Sequence, residues 1–253
     1  MSALPTSALG GSTPLPASGP STAATQAPTS AAPPLAIAGT TLRYRSDVRY
    51  TDRASKARYI AAKYAAILRG AVLDVGCDAA PLRALVGNPG LYVGVDIRAD
   101  ADVAIDLERS DLPFADRSFD TVVCTDVLEH LDGCHRVFDE LCRVSASRVV
   151  VSLPNPLRNL LMALFEGSQG RLKYYGLPVD APKDRHRWFF GHDEAAAFLS
   201  ERGRRQGFEV EQMDAEDGGC YPWRTAAGVD VLNHPNIRGG TLWCVLHREG
   251  SGA

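Results

Sequence analysis

The chain has 253 residues, 45% of them apolar, and six cysteines with no C-x-x-C pair and no zinc-type Cys/His spacing, so one sizeable core can form without a disulfide framework or a structural metal. A formal charge of −3 supplies no global basic field for a polyanion, and no apolar run approaches the ~20 residues needed to span a bilayer. Nucleic acid is therefore not an expected partner and no membrane span is expected. Unpaired thiols in apolar runs point to a reducing compartment, the cytoplasm.

Residues 1–42 carry no charged side chain and are dominated by Ala, Ser, Thr, Pro and Gly, a composition that predicts a disordered tail followed by one domain over 43–249. The tail has neither the basic n-region of a signal peptide nor the arginines of a transit peptide. From Thr51 to Arg69, apolar residues at helical spacing (Ala54, Ala57, Ile60, Ala61, Tyr64, Ile67, Leu68) predict a helix ended by Gly70. Short apolar runs then follow at 71–75, 91–97, 103–107, 121–125 and 148–153, with helices predicted over Pro81–Val86, from Leu128 to about Val144, and over Asn155–Phe165. A helix near Asp193–Arg205 leads into two final strands, 208–216 and 241–248. This order predicts an α/β fold: a doubly wound, mostly parallel seven-stranded sheet with an antiparallel C-terminal edge.

The strongest chemical signal is A-V-L-D-V-G-C-D-A-A-P-L, residues 71–82, with Asp96 twenty residues after Gly76 at the end of Y-V-G-V-D-I. A buried strand ending in a glycine turn lets backbone approach a ligand, and an acid ending the next strand is placed to accept ribose hydroxyls. A dinucleotide enzyme is one reading, but it wants G-x-G-x-x-G, and Asp78 would repel a pyrophosphate. A cofactor bearing a sulfonium and an ammonium tolerates that acidic turn.

These residues resemble the class I S-adenosylmethionine-dependent methyltransferases, and the resemblance runs from Val72 to Leu131 and on through R-V-V-V-S-L-P-N-P at 148–156. Its most specific block is L-P-F-A-D-R-S-F-D-T-V-V-C-T-D-V-L-E-H-L, Leu112–Leu131. The resemblance implies S-adenosylmethionine as cofactor. It places Asp74, Gly76, Cys77 and Asp78 around the methionine moiety, Asp96 with Ile97 at the ribose, Asp106 and Leu107 beside the adenine, and Thr125 and Asp126 on the methyl-transfer side. Two departures stand out: Asp78 replaces the second glycine of the usual G-C-G, at a position that often needs positive φ, and Ala79, Ala80 and Pro81 replace the third.

Methyl transfer from a sulfonium is a displacement governed by alignment, and a hydroxyl acceptor adds a use for a base. His130 in V-L-E-H-L and His186 in K-D-R-H-R-W-F-F (183–190) are the candidates. For His130 the competing reading is packing of the crossing helix, with Glu129 a structural partner of the loop. For 183–190 two readings stand: part of a substrate lid over about 157–192, with Arg185 or Arg187 clamping an anion, or a docking loop whose aromatics fill core. Asp214, Glu216 and Asp217 have no second ligand set, so no metal is expected. The acceptor expected is a small molecule or a glycan-like group methylated at oxygen or carbon, because S-L-P-N-P stands where amino-group methyltransferases carry N/D-P-P-Y/F. A noncatalytic binding or regulatory module of the same fold is the alternative.

Overall fold

In a computed structural model, the structure describes residues 35–37, 40–45, 47, 50–165, 174–217 and 234–250. Most of the expected tail, part of the expected lid (166–173) and Cys220 lie outside them. The elements are β1 (Leu35–Ile37), β2 (Thr40–Arg45), α1 (Arg53–Lys63), β3 (Val72–Val75), β4 (Tyr92–Asp96), β5 (Val103–Ala104), β6 (Phe119–Thr125), α2 (Cys134–Val144), β7 (Ser145–Leu153), α3 (Pro156–Phe165), α4 (His192–Ala197), β8 (Phe208–Asp217) and β9 (Gly239–Arg248).

The sheet runs β1-β2-β8-β9-β7-β6-β3-β4-β5. Seven of these strands, β8 through β5 in that order, form the expected doubly wound sheet, with β3, β4, β5, β6 and β7 parallel and β9 antiparallel to both β7 and β8. The two added strands cross the expected boundary at residue 42: β2 pairs parallel with β8, Arg43 opposite Asp214, and β1 turns back on β2. They form because the outer edge of β8 offers unpaired backbone groups, which a Thr/Tyr-rich segment can satisfy.

Strict alternation along the inner strands sorts the core onto the two sheet faces. Val123, Val150, Trp243 and Val245 pack with Ala57 and Ile60 of α1, whereas Val122, Cys124, Val151, Cys244 and Leu246 pack with Val137, Phe138 and Leu141 of α2. Helix α1 starts at a capping box in which the Asp52 carboxylate accepts the Ser55 N–H at 2.7 Å and Ser55 Oγ accepts the Asp52 N–H.

The predicted helix at Pro81–Val86 is instead one 3₁₀ turn, Arg83–Leu85. The run Gly87-Asn88-Pro89-Gly90 stops it, and Gly87 sits against the Arg69 backbone where a Cβ would lie 3.1 Å from Arg69 Cα. The first helix ends at Lys63, six residues before the expected Arg69, and β5 leaves the sheet at Ile105. Among the described residues no helix is long and apolar enough to cross a membrane.

Candidate active site

The parallel strands β3, β4 and β6 deliver their C-terminal ends to one cleft of about 300 Å³, the place where open parallel sheets bind ligands. Its wall brings together Gly76, Asp96, Ile97, Asp106, Leu107 and Asp126 from the expected cofactor set, along with His130. Gly76 has φ +77°, and a Cβ there would lie 2.2 Å from Val127 Cγ2, so the close turn requires glycine. Asp78, at φ +50°, holds the left-handed backbone in which glycine is more usual, a conformation Asp tolerates better than most residues.

Asp96 accepts the Asp78 N–H through Oδ2 at 2.8 Å and the Arg98 N–H through Oδ1 at 3.1 Å. The carboxylate is thereby held in one orientation at the cleft, with lone pairs remaining for a diol. The Asp78 side chain turns aside to Arg53 at 3.1 Å and Arg98 at 3.2 Å. Its charge is already met; the cleft wall itself carries Asp96, Asp106, Asp126 and Asp184 against Arg53, with Asp126 paired to Lys56.

Asp74, Cys77 and Thr125 are placed otherwise. Asp74 is buried behind the loop, where it accepts the Tyr92 hydroxyl at 2.6 Å, and burial pushes its carboxyl up to about 6 despite that bond. Cys77 is buried against Gly94, its thiol pushed up to about 12 by burial. The five cysteines among the described residues are all free and buried, as packing residues would be. Thr125 ends β6.

Asp126 is at φ +56°, and its carboxylate is fixed by the Lys56 ammonium and, at 2.7 Å, by the Ser152 hydroxyl. Strained backbone held by its surroundings is characteristic of functional positions. Arg53 and Lys56, both on α1, reach the cleft region without any sequence signal that separates them from other helix-surface cations.

A second cleft of about 200 Å³ lies beyond the 3₁₀ turn Leu128–His130, lined by Leu128, Glu129, Leu153, Trp188, Phe189 and Phe190 among others. The turn separates the two clefts, with His130 on the wall of the first and Glu129 on the wall of the second. Segment 185–190 docks on this turn through Arg187 N–H to the Glu129 carbonyl at 2.7 Å and Trp188 Nε1–H to the Leu131 carbonyl at 2.7 Å. Trp188 and Phe189 remain 39% and 48% exposed, so they wall the cleft, while Phe190 packs on the core. Arg187 is 3.7 Å from Asp132, and Arg185 donates to the Tyr175 carbonyl at 3.4 Å.

His186 stacks face to face on Tyr174, with centroids 4.1 Å apart, and meets the His130 ring edge-on at 4.6 Å. Glu129 is 2% exposed. Burial, then the nearby Asp126 charge, raises its carboxyl well above the usual range.

Of the acids in β8, Asp214 pairs with Lys63 at 2.9 Å and Asp217 with Arg238 at 2.8 Å. Both are structural partnerships.

The sequence pattern of a methyltransferase domain matches residues 73–151, which span β3 through most of β7. No curated protein matches the sequence. Among solved structures, an S-adenosylmethionine-dependent methyltransferase from Archaeoglobus fulgidus superposes with a TM-score of 0.54 at 16% identity, over 78% of this chain and 95% of that one. A putative methyltransferase from Listeria monocytogenes gives 0.49 at 11% identity, over 78% and 98%, and magnesium protoporphyrin IX methyltransferase from Synechocystis gives 0.47 at 15%, over 80% and 89%. The strand order above and the methyltransferase domain pattern over residues 73–151 give the chain the Rossmann-like fold of S-adenosylmethionine-dependent methyltransferases.

Proposed function

We propose that the chain transfers the methyl group of S-adenosylmethionine to a small-molecule or glycan-like acceptor, at oxygen or carbon. The observation that carries this reading is the oriented Asp96 carboxylate, which shares an acidic cleft with Asp126 and His130 while an aromatic-lined cleft lies just beyond the turn. The acidic wall suits a cationic cofactor, and the glycine turn at Gly76 suits close backbone approach.

In this reading Asp96 holds the ribose hydroxyls, Asp106 and Leu107 border the adenine, and Gly76 with Asp74 behind it faces the methionine end. The cofactor supplies an activated methyl group on a sulfonium. The protein aligns the acceptor with it by means of the turn at 128–130 and the aromatic cleft. Where the acceptor is a hydroxyl, His130 or His186 receives its proton.

Asn155 stands in the S-L-P-N-P run that replaces the N/D-P-P-Y/F of amino-group methyltransferases. It is 1% exposed, and its amide donates to the carbonyls of Asn236 at 2.9 Å and Gly239 at 2.7 Å. It is therefore committed to structure rather than to presenting an amine.

The test is calorimetric titration of the full chain with S-adenosylmethionine and with S-adenosylhomocysteine. Asp96→Ala is expected to weaken binding by roughly 1.5–3 kcal/mol, the range for hydrogen bonds to a charged group. Binding of neither ligand would remove the reading. Binding of both without labelled methyl incorporation into any extract would favour the noncatalytic module, and stabilisation by NAD alone would favour the dinucleotide enzyme.

A further inference from the structure

At the turn between the two clefts, Glu129, His130 and His186 each offer a ligand atom, and these atoms all lie within 4.8 Å of one another. The hydrogen bonds at Nδ1 of each ring fix where its hydrogen sits. Among the described residues His130 Nδ1 has only acceptors beside it, Asp184 Oδ1 at 2.7 Å and the Arg185 carbonyl at 3.2 Å, so Nδ1 carries the hydrogen. The Tyr175 hydroxyl spends its one hydrogen on the Trp188 carbonyl at 2.7 Å, and therefore accepts from His186 Nδ1 at 3.1 Å. With one hydrogen on each ring, at Nδ1, the basic lone pair of both lies on Nε2.

His130 Nε2 stands 3.9 Å from Glu129 Oε1. That is too far for a hydrogen bond, yet within the ~4 Å that two ligands, each about 2 Å from one ion, can span. Glu129 Oε2 is buried with no hydrogen-bond partner among the described residues, and an uncompensated buried carboxylate is costly. Two imidazoles oriented by outer carboxylate and hydroxyl partners, plus one buried carboxylate, form a donor set suited to a divalent transition ion with open positions.

We infer that Glu129, His130 and His186 bind one divalent transition-metal ion of the zinc class at the seam between the cofactor cleft and the aromatic cleft. His186 lies 56 residues beyond the adjacent pair Glu129 and His130, which is why no ligand spacing announced the set. The ion's role rests on the methyl-transfer reading and takes the place of His130 or His186 as direct base: its open positions would hold an acceptor oxygen and lower that oxygen's pKa. The site itself does not depend on that reading.

The experiment is titration of the tag-free full chain with Co²⁺ followed by visible absorption, with Zn²⁺ as competitor and S-adenosylhomocysteine binding measured separately. One equivalent of Co²⁺ with ligand-field bands, displaced by Zn²⁺, is expected. The bands should vanish in His186→Ala and in Glu129→Gln and persist in His247→Gln, a histidine on β9 opposite Arg148 and outside the cluster. Asp184→Asn, which changes a half-exposed outer partner and should leave the fold intact, is expected to lose about 10–100-fold in metal affinity. No Co²⁺ or Zn²⁺ binding by the wild type would overturn the inference, as would bands that survive both ligand substitutions. Metal binding without S-adenosylhomocysteine binding would keep the site and remove the cofactor reading, and the converse would do the reverse.

Discussion

The backbone N–H of Asp78 donates to Asp96 Oδ2 at 2.8 Å, which makes the first loop and the acid of the second inner strand a single mechanical unit. The bond needs the backbone of residue 78, at φ +50°, and not its side chain. Asp78→Gly should therefore keep Asp96 oriented and leave cofactor affinity within about threefold, since the lost pairs to Arg53 and Arg98 are partly exposed and surface pairs contribute ~0–1 kcal/mol. Asp78→Val puts a β-branched residue in the left-handed region and should cost about 1–2 kcal/mol of stability or more. Urea unfolding and calorimetry on both variants check this; a Gly variant that lost binding outright would mean the side chain, not the backbone, is what matters.

The Tyr92 hydroxyl stabilises the charged form of Asp74, so removing it should matter more as pH rises. Asp74 is pushed up to about 6 in the fold from its ordinary 3.8. The native state thus holds the extra proton between those values, and stability from this group falls as pH rises from ~4 through ~6, by about 3 kcal/mol in all. Tyr92→Phe leaves a buried carboxylate oxygen unmet and should cost roughly 1–3 kcal/mol at pH 8, and clearly less at pH 5, where Asp74 is largely protonated. Denaturant melts at the two pH values decide it, and an equal cost at both would contradict the assignment.

The inner strands were legible because parallel strands covered on both faces read as near-continuous apolar runs, as in V-L-D-V and R-V-V-V-S-L. Asp96 was legible because the acid ends such a run. Strand β2 was not, since its partner β8 lies some 170 residues downstream and edge pairing leaves little periodic trace in T-T-L-R-Y-R. The cluster at Glu129, His130 and His186 was likewise hidden, because docking of segment 185–190 on the turn at 128–130 brings together residues separated by more than fifty positions.

His192 works in the opposite direction to Asp74. It is fully buried, burial lowers it to about 4 from 6.5, and its Nε2–H donates to the Gly240 carbonyl at 2.7 Å while Nδ1 has no partner among the described residues. The unfolded chain takes up this proton below ~6.5 and the native chain does not until ~4, so stability falls as pH drops through that window, by about 3 kcal/mol in all. His192→Gln removes the titration. Its stability relative to wild type should improve steadily from pH 7 to pH 4.5, read from denaturant midpoints, and a pH-independent difference would show that His192 is not the titrating group.

The Lys63–Asp214 pair spans 2.9 Å, with the two side chains 9% and 1% exposed, and ties α1 to β8. Burial lowers the Lys63 ammonium, and its pairing with the Asp214 carboxylate only partly restores it, so the pair is held against a desolvation cost. Removing one partner strands the other: Asp214→Ala should cost about 3–5 kcal/mol, because a cation is left among the rings of Tyr59, Tyr64 and Trp243 without its carboxylate. Replacing both, as Lys63→Met with Asp214→Leu, should recover most of that loss, since a well-packed apolar pair of similar volume is often neutral or better. Thermal and urea unfolding of the single and double variants form a mutant cycle. A double variant as unstable as the single would mean that the pair contributes net stability and is not merely tolerated.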